Sequence, residues 1–301
     1  MNPKVTTGVC VKNSASTIRE AIESIIHQDF PHELMEVIFV DDGSEDETLS
    51  IINDYASKMD IKVKIFHHKW KGLGPSRNVV VNNASGDYII WVDGDMVLST
   101  DYVKKQVDFM EHHREVGITK GKQALEPGDN LLATLETYSR AAGRMIDYTS
   151  EKAHSKALGT GGSIYRIEAI KQAGMFDENL KGYGEDLDME IRVRKIGWVL
   201  HTINTKFLDY ERHGLTWKNL WLRYWRRGYF IHYFLHKNRG LLKHCRMIPP
   251  VAFLSGLLSA YNLFKLTRQK EVFLLPFQCI FKMTAWYFGF IRSHLQSYEP
   301  R

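Results

Sequence analysis

Apolar positions in the first hundred residues alternate between two periods. Val5 to Val11 is a short run that predicts a buried strand. Ser16 to Gln28 changes to helical spacing, with Ile18, Ile22, Ile25 and Ile26 on one face and Ser14 or Ser16 as its cap. Glu36 to Val40 predicts a second strand that stops abruptly at DDGS, and Glu47 to Lys58 a second helix. Ile61 to Phe66 is a third strand. KGLGPSRNVVVNNASG reads as a loop, a helix and a turn, and Tyr88 to Val92 is a fourth strand. Strands alternating with helices in this way mark a parallel sheet covered by helices on both faces.

Beyond residue 98 the alternation loosens. Helices are expected at Tyr102 to His113, Leu131 to Ile146 and Glu185 to Lys195. Strands are expected within 116 to 125 and within Leu200 to Tyr210. GTGGSIYR is a glycine-rich turn leading into a strand or a helix start.

The last third has a different texture. WKNLWLRYWRRGYF, residues 217 to 230, places Trp217, Leu220, Trp221 and Tyr224 on one helical face and Arg223, Arg226 and Arg227 on another. A basic, Trp-rich amphipathic helix suits a membrane surface, with rings at the headgroups and arginines at phosphates. The alternative is a core-packed helix with a solvated basic face. Met247 to Phe264 and Val272 to Ile291 are apolar runs near the length needed to span a bilayer. Two features oppose a spanning hairpin. Lys282 near the centre of the second run would cost roughly 2.5 to 3.5 kcal/mol on insertion scales. The connection KLTRQKE would carry Lys265, Arg268 and Lys270 to the outer side, against the positive-inside rule. These segments are expected to dip into one leaflet or to pack against the α/β domain.

Composition changes this picture little. The chain has 301 residues, 44% apolar and 25% charged, enough for a large core. A net charge of +5 and a pI near 8.9 are only mildly basic. Residues 29 to 60 are rich in Asp and Glu, whereas 212 to 246 are rich in Arg, Lys and His. The basic run carries no nucleic-acid-binding signature, so no nucleic-acid partner is expected. Cys10, Cys245 and Cys279 form neither a disulfide framework nor a CxxC metal site and point to a reducing compartment. MNPKVTTGVCVKN does not read as a signal peptide.

The chemistry concentrates in acidic clusters. In open sheets of this kind ligands bind beyond the carboxyl ends of the strands. DDGS (41 to 44) and DGD (93 to 95) both follow predicted strands, so they should meet at one crevice. Each is also a good turn sequence. As a functional pair, Asp93 and Asp95 suit a hard divalent cation shared with phosphate oxygens, which would relieve their mutual repulsion. A third cluster, Glu185-Asp186, opens a helix. The positive helix end gives a bland reason for both carboxylates, and a general base gives a functional one. Asp188 and Glu190 are expected on the helix surface.

VDDGSEDET, KGLGPSRNVVVNNASGDYIIWVDGDM, GTGGSIYR and FDENLKGYGEDLDMEIRVRKIGW stand in the order and spacing of one family. Over residues 5 to 215 the chain resembles the family 2 glycosyltransferases, of GT-A fold. The resemblance implies an α/β class: a Rossmann-like nucleotide-binding sheet with helices on both faces, followed by a helical, partly apolar C-terminal extension. It implies a catalytic domain at 1–215, with a nucleotide-binding half at 1–97 and an acceptor half at 98–215; the amphipathic and apolar runs set 216–301 apart as a C-terminal region.

Residue by residue, Asp41 and Asp42 would contact base and ribose, Asp42 foremost for the base. Arg77 would lie near the nucleotide, or else form a helix-surface ion pair. Asp93 would lie near the ribose and Asp95 would hold the metal, with Asp93 and His213 as further ligands. Gly161, Gly162 and Ser163 would line the donor sugar and acceptor. Asp186 would be the base and Glu185 its orienting neighbour. Cys10 stands where many relatives carry Thr or Ser. No QxxRW follows the acidic pair, so a single-sugar transfer is expected rather than polymerisation.

The expected reaction is inverting transfer from a UDP- or GDP-sugar with Mn2+ or Mg2+. The acceptor is expected to be a hydroxyl or phosphate on a lipid-linked molecule at the cytoplasmic face of a membrane, contacted by Arg223, Arg226 and Arg227. Polysaccharide assembly and a non-catalytic sugar-nucleotide-binding module are the alternatives.

Overall fold

The computed structural model describes residues 2–145, 158–209, 214–238 and 248–296. Two compact units divide them. The first comprises Met1–Ala124, Asp147–Lys181 and Glu185–Asp209; the second comprises Leu125–Ile146, Gly182–Gly184 and Tyr210–Arg301.

The first unit is built on an eight-stranded sheet. Its strands are β1 (Val5–Val11), β2 (Met35–Asp41), β3 (Lys62–His67), β4 (Tyr88–Trp91), β5 (Met96–Leu98), β6 (Val116–Gln123), β7 (Ser163–Arg166) and β8 (Val199–Asp209). Their spatial order is β3-β2-β1-β4-β7-β6-β8-β5. The first four run parallel, as the alternating pattern predicts. β7 is antiparallel to both β4 and β6, β6 is parallel to β8, and β5 closes the far edge antiparallel to β8. β5 escapes the sequence reading because three residues after a turn show no period.

Side-chain alternation along the strands splits the core into two layers. Val37 and Phe39 of β2, with Tyr88 and Ile90 of β4, face one layer. It is covered by Ile18, Ile22 and Ile25 of α1 (Ile18–Ile26). Ile38, Val40, Ile89 and Trp91 face the other layer. Helices α2 (Thr48–Ala56), α3 (Leu73–Asn83), α4 (Tyr102–His112), α6 (Ile167–Gln172) and α7 (Glu185–Lys195) complete the two coverings. Val80 and Val81 of α3 and Met189 and Val193 of α7 share the second layer, while Val103, Val107 and Met110 of α4 share the first. α3 begins at Leu73 and takes in Pro75, a residue tolerated in a first turn whose N–H groups lack intrahelical partners.

The second unit is helical: α5 (Leu131–Met145), α8 (Trp217–Lys237), α9 (Pro249–Thr267) and α10 (Leu275–Leu295). α8 and α10 cross backbone against backbone. A Cβ on Gly228 would lie 1.9 Å from the Trp286 carbonyl oxygen, and one on Gly289 1.9 Å from that of Trp225. Trp217 and Trp221 set their rings against Phe281. Lys282, the charge in the apolar run, is buried; its Nζ lies 2.9 Å from Glu136 Oε2 and 2.7 Å from Ser139 Oγ of α5. Tyr224 donates its hydroxyl to the same Glu136, at 3.1 Å. Arg227 stacks over the rings of Tyr183 and Tyr224, whereas Arg226 is exposed. Leu254, Leu258 and Tyr261 of α9 and Phe277 of α10 are exposed apolar residues.

Candidate functional site

The strand register brings the acidic clusters to one edge of the sheet. Val11 of β1 pairs with Asp41 of β2, and Gly8 of β1 pairs with Trp91 of β4. Asp41, Asp42, Cys10 and Asp93 therefore sit at the carboxyl ends of adjacent parallel strands. Asp41 is buried and accepts the Ser44 hydroxyl, with His67 Nδ1 at 2.7 Å. Asp42 accepts the backbone N–H groups of Lys71 and Gly72 at 2.7 and 2.9 Å and has His68 Nδ1 at 3.2 Å. Both carboxylates thus order the loops that follow β2 and β3. His68 Nε2 is buried there without a partner.

Arg77, on α3, is buried and ion-paired with Glu185 at the start of α7. The ion pair weighed from the sequence exists, but inside the protein rather than on a helix surface. The guanidinium also lies over the rings of Trp91 and Phe176. Burial works against its charge, yet Glu185, Asp186 and Asp93 together hold Arg77 above its ordinary range. Burial pushes Glu185 up to about 7, Arg77 opposing and Asp186 adding. The contact itself favours the charge pair; desolvation is what makes Glu185 its titratable member. Glu185 Oε2 is buried with no hydrogen-bond partner.

Cys10 records the convergence. Burial pushes its thiol up to about 12, with Arg77 opposing and Asp93, Asp42 and Glu185 adding to the rise. One carboxylate from each acidic cluster acts on this single side chain.

Asp93 and Asp95 are half-buried and flank Gly94 in a turn closed by Met96 N–H to the Asp93 carbonyl, 3.0 Å. The glycine loop lies against them. A Cβ on Gly161 would fall 2.5 Å from Asp93 Oδ2 and 3.0 Å from Met96 Cε, so only glycine fits this closely against them. Gly162 N–H donates to the Trp91 carbonyl at 2.8 Å and Ser163 N–H to that of Thr160 at 2.7 Å. Among the described residues no group of three His, Cys, Asp or Glu is set to hold a metal. Two carboxylates in one turn have the oxygen chemistry of a hard cation whose shell is completed by phosphate oxygens.

Ten expected residues, Asp41, Asp42, Arg77, Asp93, Asp95, Gly161, Gly162, Ser163, Glu185 and Asp186, belong to this first unit. His213 lies outside the described residues. Asp188 and Glu190, expected on the surface of α7, are buried instead. Asp188 pairs with Arg192 one turn on, at 2.8 Å, and Glu190 turns inward to the glycine loop. That second contact had a readable signal: Glu190 is four residues from Asp186 and shares its helical face. Lys120, also unremarked in the sequence, is a buried cation on β6. A cavity of about 760 Å3 lined by Lys4, Asp87, Tyr88 and Arg166 lies at the opposite, amino end of β4.

Residues 6–172 match the family described as glycosyl transferase family 2. The chain belongs to glycosyltransferase family 2. Among curated family members, it is 37% identical over 111 residues to the poly(ribitol-phosphate) β-N-acetylglucosaminyltransferase TarS of Staphylococcus aureus. That match covers 36% of this chain and 19% of TarS. It is 22% identical over 207 residues to the poly-β-1,6-N-acetyl-D-glucosamine synthase of Staphylococcus epidermidis, covering 68% of this chain and 47% of that protein. The chain thus spans about a fifth of TarS and about half of the synthase. Among solved structures it resembles the mannosyltransferase PcManGT of Pyrobaculum calidifontis in complex with GDP-Man and Mn2+. That likeness has a TM-score of 0.68 at 16% identity, over 99% of this chain and 89% of that one. S. aureus TarS 1–349 in complex with UDP-GlcNAc matches with a TM-score of 0.56 at 18% identity, over 99% and 93%. These likenesses place the α/β sheet within the GT-A fold of the family.

Proposed function

We propose that this protein is an inverting, metal-dependent glycosyltransferase that moves one sugar from a UDP- or GDP-sugar to a lipid-linked acceptor. The observation that carries the reading is the grouping of the acidic clusters around the glycine loop: Asp42 and Asp93 follow neighbouring parallel strands, Glu185 pairs with Arg77, and a Cβ on Gly161 or Gly159 would lie 2.5 Å from Asp93 Oδ2 or 3.4 Å from Asp186 Oδ2. In the proposed step Asp186 accepts the proton of the acceptor hydroxyl. The freed oxygen pair forms the new bond to the anomeric carbon as the old bond breaks, and its electrons leave with the nucleoside diphosphate. Direct displacement of this kind inverts the anomeric centre. Asp93 and Asp95 are the residues that would hold Mn2+ or Mg2+, which when bound supplies positive charge at the leaving diphosphate. Asp41 and Asp42, by ordering the loops after β2 and β3, shape the nucleotide's end of the crevice. Complexes of relatives with UDP-GlcNAc, and with GDP-Man and Mn2+, support both donor classes.

The membrane-side acceptor draws support from the second unit. Residues 214–296 carry a single acidic residue, Glu271, against thirteen Lys and Arg. Exposed Leu254, Leu258, Tyr261 and Phe277 accompany exposed Lys265, Arg268 and Lys270. That chemistry suits an anionic lipid surface. Among the described residues one helical stretch, Lys270–Leu295, is long and apolar enough to cross a membrane. Its Lys282 is committed to Glu136, which supports a packed helix lying at the surface. The second reading is polymer assembly, which the names of TarS and of the poly-β-1,6-N-acetyl-D-glucosamine synthase favour.

The test is release of UDP or GDP from UDP-GlcNAc, UDP-glucose and GDP-mannose with Mn2+. Turnover of one donor is expected. No turnover of any would favour a non-catalytic sugar-nucleotide-binding module. Flotation with vesicles tests the surface: binding to phosphatidylglycerol-containing but not neutral vesicles is expected. Equal failure with both would remove the lipid acceptor.

A further inference from the structure

Two buried charges in the first unit have no part in the step above. Lys120, on β6, directs its Nζ to the carbonyl oxygens of Leu158 and Gly159, at 2.8 and 3.0 Å. Glu190, on α7, accepts the N–H groups of the same two residues, at 2.5 and 2.7 Å, and the hydroxyl of Tyr165 at 3.0 Å. Both side chains are fully buried. All four polar backbone atoms of one dipeptide are thus gripped, donors by an anion and acceptors by a cation.

The dipeptide opens the glycine loop and borders Asp186. A Cβ on Gly159 would lie 3.4 Å from Asp186 Oδ2 and 3.7 Å from Lys120 Nζ. Asp186 and Glu190 stand one turn apart on α7, so one helix fixes both the carboxylate and the peptide beside it. Desolvating a lysine and a glutamate to hold a short turn is a costly way to gain stability, because apolar replacements often do as well. It is an effective way to fix a wall, since opposed charge-assisted bonds leave the peptide little freedom.

We propose that Lys120 and Glu190 are positioning residues for glycosyl transfer, holding the Leu158–Gly159 peptide as the wall of the acceptor space at Asp186. The proposal rests on the glycosyltransferase reading. Small displacements at such a wall are expected to lower turnover without touching donor affinity.

The test uses the full chain with Mn2+ and whichever of UDP-GlcNAc, UDP-glucose or GDP-mannose the wild type turns over. The double variant Lys120→Met/Glu190→Gln removes both charges together, so neither is stranded. Its kcat is expected to fall about 30-fold or more, with the donor KM within about 2-fold of wild type. Lys120→Arg, which keeps a cationic donor, is expected to recover to within about 5-fold. A folded double variant with wild-type kcat overturns the proposal, as does a raised KM at unchanged kcat, which would assign the clamp to the donor. Should the double variant not fold, Tyr165→Phe carries the test, because it removes only one bond orienting Glu190. A kcat lowered about 3-fold at constant KM is expected, and an unchanged kcat overturns the clamp. A wild type that turns over no donor sinks the glycosyltransferase reading itself, whereas active wild type with unaffected variants sinks only the clamp.

Discussion

Lys282→Met distinguishes a packed helix from an inserted one by the sign of its effect. Lys282 Nζ lies 2.9 Å from Glu136 Oε2, and the two side chains are 4% and 0% exposed. Removing the ammonium leaves Glu136 with the Tyr224 hydroxyl at 3.1 Å and Arg140 Nε at 3.9 Å. Breaking one side of a buried pair costs about 3 to 5 kcal/mol, because a charge stays in low dielectric uncompensated. The nearby Arg140 moves the expectation to the lower end, about 3 kcal/mol. Glu136→Gln/Lys282→Met removes both charges and is expected within about 1 kcal/mol of wild type. Glu136→Gln alone strands Lys282 and is expected to cost a similar ~3 kcal/mol, so the two single costs should together exceed that of the double variant by about 5 kcal/mol. If α10 instead sat in hydrocarbon with Lys282 facing lipid, the same substitution would favour insertion by roughly 2.5 to 3.5 kcal/mol. Guanidinium unfolding followed by tryptophan fluorescence measures the first quantity and vesicle partitioning the second. A Lys282→Met protein as stable as wild type, or one that moves into vesicles, would refute the packed arrangement.

Three further outcomes follow from particular contacts. Gly228→Ala should destabilise the helical unit by about 2 kcal/mol or more, since its methyl meets the Trp286 carbonyl oxygen at the α8–α10 crossing; thermal unfolding checks it, and an unchanged Tm would mean the crossing is looser. With its thiol held near 12, Cys10 should alkylate at pH 8 about a thousandfold more slowly than a free cysteine, and faster as pH rises, because the thiolate is the reacting form; peptide mass spectrometry of iodoacetamide-treated native protein reads this, and rapid labelling would show that the site is open. Asp186→Asn should keep nucleotide binding while lowering donor turnover by about 100-fold or more, and near-normal turnover would assign the base elsewhere.

The parallel half of the sheet was legible because each strand from β1 to β4 is an apolar run followed by a helical period. The switch from 2.0 to 3.6 residues is a local property. DDGS and DGD could be placed at strand ends for the same reason. The antiparallel strands β5 and β7 were harder: each is three or four residues long, and their pairing with β8 and β4 is set by contacts distant in sequence. Lys120 is not legible, because a lone lysine in a strand looks like a surface residue until its partners at Leu158 and Gly159 are known, and Glu190 carries only its place on the Asp186 face of the helix as a signal. The same holds for Lys282, whose partner Glu136 stands 146 residues away. The ion pair of Arg77 was weighed in the sequence as a helix-surface pair, but its burial against Glu185 was not legible, since α3 and α7 meet only in the folded chain.

In the proposed reaction Asp93 and Asp95 join a nucleoside diphosphate through a divalent cation. Thermal unfolding with UDP or GDP, with and without Mn2+, on wild type and Asp95→Ala, tests this most directly, because a ligand bound only by the folded state raises its Tm. The expected result is a rise with one nucleotide that requires Mn2+ and disappears in Asp95→Ala. A rise of equal size without the metal, or one that survives the substitution, would contradict it.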